Sequence, residues 1–188
     1  VMAAMRPELE RVNRWREASL GIVLETPLAR NREGLESPLG NLFADALLAA
    51  VPDADVAIGM GARRGGLRAD LPAGALTRGS LYDVFPFDNR VVGLVLTGVQ
   101  LQQVLAGEVA RRRRGIPSVS GVRVRVTCEA DRPEVEIVRS SGARIDAAET
   151  LIVATTDFFA TRARFGSRAT PMETTLASAP LVRDAAAG

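Results

Sequence analysis

The sequence predicts an α+β fold, a mixed β-sheet layered with helices. Three observations carry that expectation. Helix-periodic segments and short apolar runs alternate through the first part of the chain, two alternating segments with a tight turn between them come late, and no repeat, low-complexity block or internal linker divides the 188 residues. That length fits one domain, or one domain with an appendage.

Taken in order, residues 6–19 open with Pro7 in the first turn and carry Leu9, Val12 and Trp15 at helical spacing, which predicts a helix. Residues 20–25 read as a short strand, and 27–34 as an exposed loop with Arg30 and Arg32. Ser37-Pro38 is a strong helix start, a hydroxyl N-cap followed by a proline whose missing N–H costs nothing there. Leu39, Leu42, Phe43, Ala46, Leu47 and Ala50 then recur at three and four, up to Pro52. Asn41 and Asp45, one turn apart on that helix, form either a solvated or satisfied polar face or a support for the neighbouring loop. Residues 56–60 fit a buried strand, residues 71–74 a turn, and Thr77 or Ser80 can cap a short helix toward Val84. Residues 90–96 are apolar on both faces and read as a central strand. A helix follows from Thr97, with Val99 or Leu101, Val104, Leu105 and Val109 facing inward. Residues 121–129 and 133–139 form the hairpin, with one polar face, and Ile145 closes the unit. Residues 150–155 are another buried strand, and Asp157-Phe-Phe-Ala160 starts a helical turn or loop. From 169 to 188 the sequence is an irregular, Ala-rich tail of the kind that frays.

Composition narrows the function. Hydrophobic residues make up 47% and charged residues 24%, an ordinary globular balance, and a chain this long buries roughly 70% of the surface its unfolded form exposes. No apolar run approaches the ~20 residues a membrane span requires. The first residues carry charge too early for a signal peptide and read as the cut end of something longer or as a processed start. With 24 basic against 22 acidic residues there is no global field to attract nucleic acid. Every basic residue is Arg, the mark of a GC-rich codon choice, so a single Arg says less about phosphate binding than usual. There is no histidine, which excludes Ser-His-Asp and Cys-His catalysis, His-ligated zinc and His/Asp dinuclear metal centres within this chain. The one cysteine, Cys128, excludes an intramolecular disulfide; it shares a strand face with Val122, Val124 and Val126 and reads as a small core residue. The arginines at 111–114 sit at a helix C-terminus before Gly115, where cations complement the helix dipole, a stronger reading than nucleic-acid binding.

The stretch richest in chemistry runs from Ala57 to Phe87. A strand delivers the chain to a loop in which Gly65 and Gly66 can adopt positive φ and let a ligand approach the backbone. Arg63, Arg64 and Arg68 offer planar forks for phosphate or carboxylate. Phe85 and Phe87 flank Pro86, which can hold one ring on the surface for stacking. A second pair, Phe158 and Phe159, follows the strand at 150–155, so two aromatics from two strand ends could sandwich a base. On spacing alone, a structural turn with core aromatics competes with this ligand site and is favoured.

Five motifs then occur in order: Glu36-Ser-Pro-Leu-Gly-Asn-Leu-Phe-Ala-Asp-Ala46; Ala57-Ile58 followed by Gly65-Gly-Leu-Arg68; Gly74-Ala-Leu-Thr77; Phe85-Pro-Phe-Asp-Asn89; and Leu96-Thr-Gly-Val-Gln-Leu101. Over residues 22–165 they resemble the C-terminal, substrate-recognition domain of the 5′-nucleotidase family, whose relatives include UDP-sugar hydrolases and cyclic-nucleotide phosphodiesterases. The resemblance implies a nucleoside clamped between two Phe rings, matched by Phe87 and Phe158, with Arg68 contacting the nucleotide and Gly65-Gly66 framing it. It also implies a preceding His/Asp-rich metallophosphoesterase domain, absent from this chain, that carries a divalent metal pair. The chain itself would then bind no cofactor and would not be catalytic. Residues 1–19 would correspond to the connector helix, 20–168 to the recognition domain and 169–188 to the tail; a periplasmic or extracellular setting is implied by resemblance only. The sequence departs from the family at three places. Arg63 stands where relatives carry Asn, Gly61 and Ala62 lengthen the loop, and Arg162-Ala-Arg164-Phe165 replaces a late Gly-Gly-Asp-Gly. An Arg cannot accept the sugar hydroxyl hydrogen bonds that an aspartate accepts. The ligand that the resemblance implies is a nucleotide or nucleoside-like small molecule, and the departures point either to a more anionic ligand than the family's or to a decayed site; the alternative is a non-catalytic anion-binding or protein-interaction module on the same fold, using Arg63, Arg64 and Arg164.

Overall fold

Apolar runs too short to bury themselves have to be stacked between helices, and the computed structural model does this with the sheet in the middle. It describes residues 2–30, 36–59, 66–110, 117–129, 132–162, 170–171 and 179–187. The element order is α1 (Met2–Glu17), β1 (Ser19–Leu24), α2 (Pro38–Ala50), β2 (Val56–Ile58), β3 (Gly74–Thr77), α3 (Arg78–Val84), β4 (Val91–Thr97), α4 (Gly98–Ala110), β5 (Val119–Ser120), β6 (Val122–Glu129), β7 (Arg132–Arg139), β8 (Thr150–Thr156), α5 (Asp157–Arg162), β9 (Thr170–Pro171) and α6 (Val182–Ala185).

The main sheet has the order β5-β2-β8-β4-β9. Its one parallel pairing is β2 with β8, and the others are antiparallel, so the sheet is mixed. The pleat divides the core in two. Val56 and Ile58 of β2, Leu94 and Leu96 of β4 and Leu151 and Val153 of β8 face α4 and the β6–β7 hairpin. Ala57 and Ala154 face α2 and α3, where Leu39, Phe43, Leu47, Leu81 and Val84 are buried. The helix starts follow capping chemistry. The Ser37 hydroxyl accepts from the Gly40 N–H at 3.0 Å with Pro38 in the first turn. Thr77 and Ser80 form a reciprocal capping box at α3, and Thr97 with Gln100 forms another at α4, at 2.8 and 3.4 Å. In α4, Leu101 rather than Val99 turns inward; Val99 is exposed. The hairpin pairs Arg125 with Glu136 on its polar face, while Val122, Val135 and Ile137 are buried.

Three expectations change. Helix α1 begins at Met2, not at residue 6, so Pro7 lies inside it; the helix absorbs the one bond that Pro7 cannot donate back toward Ala3. The turn at 71–74 gives way at Gly74 to strand β3, which pairs antiparallel with β1. Asp45, exposed on α2, fits the satisfied polar face expected of it: it accepts a hydrogen bond from the Ser120 hydroxyl at 2.6 Å and so ties α2 to edge strand β5. Residues 179–187, within the expected irregular tail, instead include α6 at Val182–Ala185 and bond back to the core: the Val91 N–H donates to the Pro180 carbonyl at 3.0 Å, and the Val182 N–H to the Asn89 carbonyl at 2.9 Å. The arginines at 111–114 lie outside the described residues.

Gly121, between β5 and β6, has φ +80°, and a Cβ there would stand 2.2 Å from the Asp55 carbonyl oxygen. Gly142 has a similar φ of +87° but open space around it. Gly142→Ala should therefore cost only about 1–2 kcal/mol, the left-handed backbone penalty, whereas Gly121→Ala adds a backbone clash and should cost about 3 kcal/mol or more. Denaturant unfolding of the two variants checks this, and equal losses would contradict it.

Candidate functional site

The order of the sheet decides which loops can meet. β2 and β8 run parallel, so the loops leaving them emerge at the same end of the sheet. β4 runs antiparallel to β8 with Val91 opposite Thr156, so the turn entering β4 lies at that end too. The Asp157 N–H donates to the Arg90 carbonyl at 2.9 Å, extending this ladder one step past the strands. Phe87 stands four residues before Val91, and Phe158 two residues after Thr156. The Phe85-Pro86-Phe87 turn and the Phe158-Phe159 pair are therefore brought to one edge, and Arg68 joins them there through its N–H to the Val84 carbonyl.

Both aromatic pairs divide in the same way. Phe85 is 3% exposed and packs on Phe43, ring centroids 5.3 Å apart, while Phe87 is 40% exposed. Phe159 is 6% exposed and belongs to the core, while Phe158 is half-buried. The second division is set by a local cap: the Thr156 hydroxyl accepts from the Phe159 N–H at 3.1 Å, and the Asp157 carboxylate from the Phe158 N–H at 2.6 Å. In each pair the ring that matched the family motif is the outer one.

Arg68 is held by its main chain. Leu67, 2% exposed, anchors the loop's end in the core. The Arg68 N–H donates to the Val84 carbonyl at 2.9 Å, and the Arg68 carbonyl accepts from the Arg30 guanidinium, which also pairs with Asp70 at 3.3 Å. The Arg68 side chain extends outward, with its guanidinium carbon 4.9 Å from the centre of the Phe87 ring. A cation over an exposed aromatic face is worth about 0.5–1 kcal/mol, enough to bias the two side chains toward contact but little for a ligand to displace.

Gly66 is buried, yet it is not among the described glycines with positive φ, and a Cβ there would meet nothing within 4 Å. Its expected left-handed role is not used. Gly65, Arg63, Arg64 and Arg164 lie outside the described residues. Two arginines that the sequence did not assign to the site belong to this edge: Arg30, read there only as part of an exposed loop, and Arg183 of α6, which donates to the Phe87 carbonyl at 3.1 Å and pairs with Asp88. Nothing local in the sequence could have found Arg183, since its partners are 95 and 96 residues away. As for a metal, the chain has no histidine, and among the described residues no group of three or more His, Cys, Asp or Glu side chains could hold an ion.

The comparisons with known proteins bear on the family and the fold. Residues 18–164 match the family described as 5′-nucleotidase, C-terminal domain. A trifunctional nucleotide phosphoesterase of Bacillus subtilis is 32% identical over 133 residues, which is 65% of this chain and 9% of the relative. An endonuclease of the same organism is 30% identical over 126 residues, 67% of this chain and 10% of the relative. The chain thus spans about a tenth of the length of these curated relatives. Among solved structures, a 5′-nucleotidase precursor from Thermus thermophilus superposes with a TM-score of 0.77 at 22% identity, covering 99% of this chain and 38% of that one. With the match spanning most of the chain and the fold in agreement, the protein belongs to the 5′-nucleotidase C-terminal-domain family.

Proposed function

We propose that this chain recognises a nucleotide or nucleoside-like small molecule at the edge formed by Arg68, Phe87 and Phe158. The phosphoester chemistry is assigned to a metallophosphoesterase domain that presents a divalent metal pair and water. In this reading the chain's part is to hold and orient the substrate, which lowers the entropy cost of the reaction. What supports the reading is the placement of Phe87: an exposed ring, beside an arginine, on the same sheet edge as the outer ring of a second pair, within the residues that match the family.

The energetics allow weak, exchangeable binding. Stacking on an aromatic ring contributes about 1–3 kcal/mol per base face, and a charge-assisted hydrogen bond from Arg68 about 1.5–3 kcal/mol. Against an association cost of at least about 4 kcal/mol, that predicts a dissociation constant no tighter than about 0.2 mM. The anion-module alternative distinguishes itself by ligand: pyrophosphate would bind and adenosine would not.

Titration of adenosine, adenosine 5′-monophosphate and pyrophosphate by calorimetry is the test. Binding of both adenine compounds is expected, weakened by about thirtyfold or more in a Phe87→Ala, Phe158→Ala double variant, since both stacking faces are lost. Equal, measurable binding by wild type and double variant would sink the clamp. Arg68→Ala should weaken adenosine 5′-monophosphate about tenfold, the worth of one charge-assisted contact; an unchanged affinity would remove Arg68 from the site.

A further inference from the structure

We propose that Arg183 is a positioning residue of this edge: its guanidinium fixes the main chain of the Phe87-Asp88 turn and so sets how the Phe87 ring is presented. The functional side of this inference rests on Phe87 being a stacking face; the geometric side does not.

A ring that is to stack on a ligand must project from a backbone that does not move, yet Phe87 sits on an exposed turn between α3 and β4. Its outward ring makes no core contact of the kind that holds Phe85. The turn is instead fixed from outside by α6. One guanidinium nitrogen of Arg183 donates to the Phe87 carbonyl at 3.1 Å, and another pairs with the carboxylate of the next residue, Asp88. The guanidinium also lies over the Tyr82 ring, 5.5 Å from its centre, and Tyr82 meets Trp15 of α1 edge-on at 5.8 Å. Arg183 thus spends its fork on two consecutive residues of the turn and its face on an aromatic, and its side chain is only 17% exposed. A lysine could satisfy the carboxylate but not the fork and the stack together.

Arg183 is in turn held by the backbone that carries it. The Val91 N–H donates to the Pro180 carbonyl, the Val182 N–H to the Asn89 carbonyl, and the Arg90 guanidinium to the Ala179 carbonyl at 2.6 Å. Residues 179–183 therefore run along residues 87–91 as a strap, with Arg183 as the clasp at the turn. The strap lies beyond residues 18–164, the part of the chain that matches the family, so this support comes from outside the matched domain.

The full chain is compared as wild type, Arg183→Ala, Arg183→Lys and Phe87→Ala. Three quantities are measured: backbone order parameters from nitrogen-15 relaxation, the melting temperature, and the affinity for adenosine 5′-monophosphate. In Arg183→Ala the order parameters at 87–89 should fall from about 0.85 toward about 0.6 while those of β4 hold. Affinity should drop roughly three- to tenfold, as expected for loss of one or two hydrogen bonds that position the ring. Arg183→Lys should restore most of the melting temperature but little of the order at 87–89. If Arg183→Ala does not fold, the lysine variant carries the test through those order parameters. Unchanged order at 87–89, or full rescue by lysine, would overturn the proposal. Loss of affinity in Phe87→Ala but not in Arg183→Ala would also overturn it and leave the stacking site standing. Mobility at 87–89 in Arg183→Ala, with full affinity retained in Phe87→Ala, would support the clasp and remove the stacking reading instead.

Discussion

The antiparallel pairing of β4 with β8 is the constraint on which the rest depends. Its register runs from Val91 opposite Thr156 to Thr97 opposite Thr150. Because a one-residue slip would turn every side chain to the other face, the register is locked by burial: Leu94, Leu96, Leu151 and Val153 must all face one core. With that register set, the turn before β4 and the helix after β8 are neighbours by construction. The parallel pairing of β2 with β8 then adds the third loop to the same edge. The buried Thr155 hydroxyl reinforces this last junction by donating to the Ile58 carbonyl at 2.8 Å. The position of the candidate site is therefore a consequence of core packing, not of contacts between the site residues themselves.

The site is built by splitting aromatic pairs. In Phe85/Phe87 and Phe158/Phe159 one ring is buried and pulls the local backbone onto the core, which leaves its neighbour outside. The inner ring supplies the anchoring energy, on the order of 2–3 kcal/mol for a fully buried Phe, and the outer ring is the more exposed of the two. Charged groups do the remaining alignment from the periphery: Arg30 braces the loop at Arg68, and Arg183 braces the turn at Phe87. Exposed ion pairs are weak as stability terms, but a fork that reaches a backbone carbonyl defines geometry in a way a solvated pair does not.

Local chemistry was the legible part of the sequence. Ser37-Pro38 announced α2, the apolar spacing after Thr97 announced α4, and the alternation of valines with charged residues announced the hairpin, because each signal is complete within a few residues. The family membership and the α+β class followed from patterns of the same kind. The outer choice of Phe87 over Phe85 was not available from spacing, since it depends on Phe43, far away in sequence. β3, β5 and β9 were missed because strands of two to four residues have no period to read; they exist through their partners. Arg183 was missed for the same reason, as its role is defined by residues 87 and 88 and by Tyr82.

The central claim is that the β4–β8 register brings Phe87 and Phe158 to a single ligand. Intermolecular nuclear Overhauser effects from the base protons of bound adenosine 5′-monophosphate, with Phe87 and Phe158 selectively labelled, test it most directly. Cross-peaks from the same base protons to both rings are the predicted result. Cross-peaks to one ring only, or to neither, at saturating ligand would contradict it.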